Sequence, residues 1–332
     1  MIWFASFITR HLIYTIPVAM VLGFGAGMLT DATPLKVLIL PLTFLMVYPM
    51  MINLKITKIF EPGGAKVQVM TQTLNFAVIP FIALGLGYVF FSNEPYLMLG
   101  LFLASLLPTS GMTISYTGLS KGNMEAAVKM TVIGLIIGSL LAPAYLEYFL
   151  GAALEIDLMS VATNIGLIVF LPMIAGYATQ RFLIKRHGQQ KFKTDLGPRY
   201  GPISTIGVTG VVFVASALKA RGIMEDPSIL PFILLPLAIF YSLNYAISLS
   251  LGKLLLPRGD AIALLYGSVM RNLSIALAVA MNAFGEEGSA AALIISLAYI
   301  IQVQSAAWFV KFTDKIFGPA ELAATPEKGK SL

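Results

Sequence analysis

The chain has 332 residues, of which 58% are hydrophobic and 11% charged, with a formal net charge of +6 and no cysteine. A soluble globular protein carries about a quarter charged residues, so the composition excludes an ordinary water-soluble domain and points to lipid as the solvent. Without cysteine there is no disulfide, no thiolate metal site and no thiol nucleophile.

Apolar runs of about 20 residues, enough to cross a hydrocarbon core of roughly 30 Å as a helix, recur along the whole chain. They predict ten spans, at 12–30, 34–54, 68–92, 95–119, 123–149, 158–183, 200–219, 228–253, 259–284 and 288–311. No small-residue cleavage site follows the first, which therefore reads as a span and not as a removable signal. Span 34–54 carries Pro41 and Pro49, and span 200–219 several Gly and Ser; these two are the least regular of the set. Between spans, 17 Lys and Arg fall on the side of the N-terminus, against Lys36, Lys219 and Arg221 on the other. Cytoplasmic loops retain cations, so an even number of spans is expected in the cell membrane, with both termini cytoplasmic. The same rule accounts for the basic stretch "RFLIKRHGQQKFKTDLGPR" as a cytoplasmic connector, and no nucleic acid is expected as a partner.

The expected organisation is a first five-helix repeat plus the first helix of the second in 1–184, a basic loop at 185–199, the remaining helices in 200–316, and a cytoplasmic tail at 317–332. Internal likeness supports two halves: "YPMMINLK" ends the second span as "FVASALKA" ends the seventh, and "SKGNMEAAVKM" opens the fifth as "FGEEGSAAALI" opens the tenth. With five spans per half, the second copy enters from the opposite face. Inverted repeats of this kind build many secondary transporters, with the binding site at mid-bilayer where broken helices meet.

Two segments read as broken. The fourth span contains "LLPTSGMTISYTGLSKGN", where Pro108 removes a donor, Gly111 loosens the helix, and Thr109, Ser110, Thr113 and Ser115 offer hydroxyls. The ninth contains "YGSVMRN", with Gly267, Ser268, Arg271 and Asn272. Unpaired backbone is tolerated in a membrane only inside protein or beside a cavity, so the matched pair marks a candidate substrate site. Taken singly, each could be a kink or a close-packing stretch of small residues.

At these residues the chain resembles the bile acid:sodium symporter superfamily, which includes the arsenical-resistance (arsenite efflux) transporters. The likeness rests on Pro108 followed thirteen residues on by Lys121–Gly122–Asn123, Pro143 in the fifth span, and Asn272 with "SIALAVAM" and Phe284–Gly285 in the ninth. It extends to "NFAVIP", with Asn75 and Pro80, in the third, while "LMVYPMMINLK" looks closer to the arsenite branch. The resemblance implies an all-α membrane protein of ten transmembrane helices in two inverted five-helix repeats. Crossed, broken fourth and ninth helices would lie in a core domain, beside a panel that moves against it. It also implies a cation site, but the positions that hold sodium ligands in coupled members carry Thr113 and Ile114, Ala127 and Thr131, and Gly267 and Arg271, with Asn75 in place of a glutamine. Sodium is a hard cation that favours several oxygen ligands, carboxylates above all (as calcium and magnesium do), and here the carboxylate is gone and a cation stands in the set. Thr113, Thr131 and Gly267 are what remains of that coupling-ion site. The arsenite branch's cysteine falls on Thr109 and its glutamate on Ser274. A soft arsenic centre prefers thiolate, so arsenite would have to pass as a neutral hydroxylated species.

Arg271 carries the sharpest question. An arginine at the bilayer centre costs between about 2.5 and more than 10 kcal/mol, so it is expected to face a cavity or a partner. It could supply permanently the charge that relatives borrow from sodium, pair with an anionic substrate through its planar fork, or cap carbonyls of an unwound helix. Lys129, the other cation inside a span, has Glu125 four residues before it, a spacing that shares a helix face and predicts an internal ion pair. The expected substrate residues are Arg271, Asn272, Ser268, Thr109, Ser110, Thr113 and Asn75. The substrate expected is a small organic anion, with arsenite second, and the membrane lipid is the surrounding partner. No catalytic residue, metal or cofactor is expected: His11 and His187, the only histidines, lie at a span edge and in the basic loop. A passive channel is the remaining alternative. The aromatic residues and Met46, Met50 and Met51 read as packing.

Overall fold

The computed structural model describes residues 12–60, 62–154, 158–225 and 227–319, and every extended element among them is helical. In chain order these are α1 (Leu12–Leu29), α2 (Ile39–Ile52), α3 (Ala65–Ala77), α4 (Ile79–Phe90), α5 (Pro95–Leu106), α6 (Gly111–Leu119) and α7 (Met124–Leu154). They continue as α8 (Leu158–Ile165), α9 (Leu171–His187), α10 (Tyr200–Glu225), α11 (Ile229–Leu255), α12 (Arg258–Val269), α13 (Leu273–Ala283) and α14 (Gly288–Phe317). Seven helical stretches among the described residues are long and apolar enough to cross a membrane. Shorter apolar helices cover Tyr14–Leu29, Pro95–Leu106 and Leu273–Ala283. Large apolar side chains such as Leu29, Phe44, Val89, Leu140, Leu254 and Trp308 point outward, exposed. A belt of this kind has no place in water and fits acyl chains. The chain is a multi-pass, all-α membrane protein.

Each expected span is helical, yet three are not continuous. Pro80, at the second position of α4, interrupts the third at Val78. The fourth is split into α5 and α6, and the ninth into α12 and α13, which is why those pieces fall short of a full crossing. A π-helical turn, Gly166–Phe170, joins α8 to α9 just before Pro172. The basic connector is a correction to the expected loop: α9 runs to His187, Gly188 turns the chain at φ +84°, and Gln189–Arg199 is a series of short helical turns leading directly into α10. Phe192 buries itself there while Lys191 and Lys193 stay exposed, so one apolar anchor holds the segment against the protein. Lys129 is a second correction. Its ammonium donates to the Gly63 carbonyl at 3.0 Å while Glu125 is exposed. Arg10 and residues 320–332 of the expected tail lie outside the described residues.

Helices α1, α2, α9 and α10 pack as one group, and α3–α7 with α11–α14 form another in contact with them. Lipid offers helices no hydrophobic reason to associate, so close packing must supply it, and small residues let backbones approach. At Gly27 a Cβ would stand 2.0 Å from the Ala217 carbonyl oxygen, and at Gly23 2.3 Å from that of Phe213. Gly207 does the same for α2, where a Cβ would lie 2.4 Å from the Met46 nitrogen. Gly27→Ala should therefore destabilise by about 1–3 kcal/mol through overpacking. Gly25→Ala, on the open side of α1 with nothing within 4 Å, should be neutral or slightly stabilising. Thermal melting of the two variants in detergent checks this, and equal melting temperatures would show that the α1–α10 crossing does not depend on the missing side chain.

Candidate functional site

The first break follows from local chemistry. Pro108 cannot donate to the helix and pushes Leu107 out of helical backbone, to φ −105° and ψ 84°. Thr109 then takes φ +62°, a left-handed conformation that costs a side-chain-bearing residue roughly 1–2 kcal/mol. Its hydroxyl offsets part of this by donating to the carbonyls of Pro108 at 2.6 Å and Thr131 at 3.3 Å. The turn lies directly on α7, where Gly134 and Gly138 leave room: a Cβ at 134 would be 2.8 Å from the Thr109 hydroxyl, and one at 138 would be 2.9 Å from the Leu106 oxygen. Helix α6 restarts at once because Ser110 caps it, Oγ accepting from Met112 N at 3.2 Å while Thr113 Oγ1 accepts from Ser110 N at 3.1 Å.

The second break has no proline or glycine at its centre. Residues 270–272 are held open by partners from elsewhere in the chain. Pro108 and Arg271 form an antiparallel bridge, and Asn272 N donates to the Leu107 oxygen at 2.8 Å. The Gln302 carboxamide takes both remaining groups of Arg271, accepting from its N–H at 2.8 Å and donating to its carbonyl at 3.1 Å. Helix α13 then begins with Asn272 as cap, Oδ1 accepting from Ile275 N at 3.3 Å. The two breaks thus meet, as the paired motifs implied.

The Arg271 guanidinium is 1% exposed. Nη1 donates to Asn75 Oδ1 at 3.0 Å, and Asn75 Nδ2 donates to the Gly267 carbonyl at 3.0 Å. Nε and Nη2 are buried without a hydrogen-bond partner among the described residues. The three ion pairs among the described residues, Lys36–Glu286, Arg199–Asp195 and Arg258–Asp314, lie elsewhere and are largely exposed. Arg271 is one of the residues lining a cavity of about 990 Å³, and its two unpaired nitrogens are buried.

The cavity wall also takes in Ser110, Gly111 and Met112 from the start of α6, and Asn272 and Ser274 from the start of α13. Residues of the C-terminal ends of α5 and α12 are absent from it. Helix N-termini carry partial positive charge and free N–H groups, so both helix ends presented to the cavity have the same sign as the guanidinium. Lys55, Lys58, Arg181 and Lys193 line the outer part, three of them exposed, and the described residues of the wall include no carboxylate. Away from the cavity, Asn282 Nδ2 donates to Thr43 Oγ1 at 2.9 Å and Lys36 pairs with Glu286, tying α13 and its following turn to α2 and the turn before it.

Of the expected substrate residues, Arg271, Asn272 and Ser110 reach the cavity, as does Thr131 of the expected cation set. Asn75 stands behind Arg271 and braces it. Ser268 is turned away, its hydroxyl donating to Asn244 Oδ1 at 2.8 Å while Asn244 Nδ2 donates to the Ser268 carbonyl at 3.1 Å. Thr109 and Thr113 are buried in the break, their hydroxyls engaged there. The groups of the cation set are engaged within the protein. Thr131 donates to the Ala127 carbonyl at 2.7 Å, the Gly267 carbonyl is taken by Asn75, and Met130 Sδ fills the space a side chain at 267 would use, 2.2 Å from the Cβ position. Among the described residues no group of three His, Asp or Glu is placed to hold a metal.

Several wall residues were not expected from the sequence. Met50 and Met51, read as packing, line the cavity, and so do Tyr177, Phe192 and Tyr299, although no aromatic residue was assigned to the site. Tyr299 bonds through its hydroxyl to that of Ser274. The two amides in "YIIQVQS", Gln302 and Gln304, were the available signal, since an uncompensated polar group in an apolar span needs a partner.

Comparison with known proteins finds several relatives by sequence. The chain is 22% identical to the arsenical-resistance protein Acr3 of Corynebacterium glutamicum over 252 residues, 72% of this chain and 68% of that one. It is 21% identical to the Acr3 of Alkaliphilus metalliredigens over 260 residues, 70% and 72% of the two chains. Against the uncharacterized transporter slr0944 of Synechocystis it is 23% identical over 304 residues, 82% and 79%. The model of the sodium bile acid symporter family matches residues 40–226, more than half of the chain, a stretch that holds Asn75, the Pro108 break and α7. The chain is a member of the sodium bile acid symporter family.

Proposed function

We propose that the protein is a secondary transporter that moves a small organic anion across the cell membrane by alternating access. In this reading the ten helical segments form two inverted five-helix repeats, the two breaks sit at mid-bilayer, and the basic face with both termini is cytoplasmic. The observation that carries it is Arg271: a buried guanidinium with Nε and Nη2 unpaired, in the wall of a cavity bordered by two helix N-termini. A buried charge left without partners costs several kcal/mol, and a carboxylate that accepts from that edge of the fork in two parallel bonds would recover it. Both nitrogens are buried, so the anion reaches them as the site opens locally. Lys55, Lys58, Arg181 and Lys193 raise the local anion concentration at the outer part of the same cavity.

The same cation makes sodium unnecessary. Arg271 places a fixed positive charge beside the bridge between the breaks, so transport is independent of sodium. A second reading, arsenite efflux, draws on the two relatives named arsenical-resistance proteins and on the hydroxyls of Ser110, Ser274 and Tyr299 at the cavity. The organic anion stands first because a cavity of about 990 Å³ exceeds what one inorganic hydroxide fills.

Arg271→Gln should abolish saturable carboxylate transport in proteoliposomes; unchanged transport removes Arg271 from the site. Asn75→Asp places a carboxylate where Arg271 Nη1 already donates. It should weaken anion binding at least tenfold, about 1.4 kcal/mol. Undiminished binding in that variant would show that the guanidinium charge is not what the substrate meets. Replacing sodium by potassium should leave rates unchanged, and a steep sodium dependence would contradict the fixed-cation reading. Arsenite resistance gained by a sensitive host expressing the protein would reverse the order of substrates.

A further inference from the structure

We infer that Gln302 is a positioning residue for anion binding, holding the Arg271 fork at the angle the substrate needs; this rests on the reading of Arg271 as the anion-binding group. The geometry is that of a side chain standing in for a missing strand. Arg271 belongs to no helix, so its own N–H and C=O have no ladder, and Pro108 on the facing break has no N–H to give. Gln302 Oε1 accepts the Arg271 N–H at 2.8 Å and Gln302 Nε2 donates to the Arg271 carbonyl at 3.1 Å. A carboxamide is a peptide group on a tether, and asparagine and glutamine alone reproduce a peptide's planar N–H and C=O pair without a charge.

The carboxamide is itself fixed. Gln302 is 0% exposed, and Tyr241 of α11, 2% exposed, donates to its Oε1 at 3.0 Å. One turn on, the Ser305 hydroxyl accepts from Tyr245 at 3.2 Å and donates to the Gln302 backbone carbonyl at 3.1 Å. The peptide of Arg271 is therefore pinned to α14 and α11 from one side, while its side chain is pinned at Nη1 by Asn75 of α3 from the other. With both ends fixed, the direction of Nε and Nη2 is set before any ligand arrives. Preorganisation of this kind increases affinity by removing the cost of ordering. Gln302 does not line the cavity, so its effect on a ligand must pass through Arg271.

That separation makes the role measurable by a double-mutant cycle. The probe is whichever of acetate, succinate, benzoate and octanoate binds the purified protein best, followed by calorimetry. Gln302→Leu should weaken its binding about tenfold. In an Arg271→Lys background, where the charge remains but the planar fork is gone, the same substitution should weaken binding less than about twofold. Tyr241→Phe removes only the bond to Gln302 Oε1 and preserves the packing. It should give a smaller loss, about threefold, with the same dependence on Arg271, and it serves if Gln302→Leu does not fold. Equal losses in the two backgrounds, or wild-type affinity in both Gln302→Leu and Tyr241→Phe, would overturn the role of Gln302 while leaving the anion reading standing. A wild-type protein that binds none of the four acids would defeat the anion reading, and this inference with it.

Discussion

Peptide groups freed by a broken helix cannot turn to water inside a bilayer, and in this protein two breaks answer one another. Leu107 accepts from Asn272, Pro108 and Arg271 form a bridge, and Gln302 takes what the bridge leaves over. Much of the site's surroundings serves this contact. Gly134 and Gly138 flatten α7 so that the first break can lie on it, Thr109 accepts a left-handed backbone to make the turn, and Ser110 and Asn272 restart the helices on the far side.

The polarity of the site follows from the same contact. A break exposes one negative and one positive helix end, and which of them faces a cavity decides the sign of the ligand it favours. Here the carbonyl ends of α5 and α12 are buried and engaged, while the amide ends of α6 and α13 border the cavity. Arg271 adds a full charge of the same sign. Asn75 binds this cation without neutralising it, because a carboxamide oxygen accepts from the guanidinium and carries no charge. The result is a positive end to the cavity whose charge is held in place and left uncancelled.

Residues around the cavity divide into those that could touch a ligand and those that hold the first kind still. Ser110, Asn272, Ser274 and Tyr299 line the wall with Arg271. Asn75, Asn244, Tyr241 and Gln302 stand behind it, each bonded to the backbone or side chain of the second break or to a group that is. Side-chain amides recur in this second set because each can serve a donor and an acceptor at once, which suits unwound backbone in a medium that offers no alternative partner.

By itself the sequence determined the class and the outline. Runs of apolar residues at membrane length, the placement of basic residues, and the two polar interruptions at 108–115 and 267–272 were all legible, because each depends on residue type within a short window. Arg271 could be singled out from its isolation alone. Tertiary structure decided what the arginine meets and which of its neighbours share the cavity. Ser268 and Ser110 look alike in sequence, yet one is turned onto Asn244 and the other faces the cavity. The second break has no proline or glycine at its centre, and it stays open because Leu107 and Gln302, both distant in sequence, supply its hydrogen bonds. The helical connector at 189–199 and the wall positions of Met50, Met51 and Tyr299 were hidden for the same reason: which face of a helix is covered depends on the helices packed against it, and no local pattern records that.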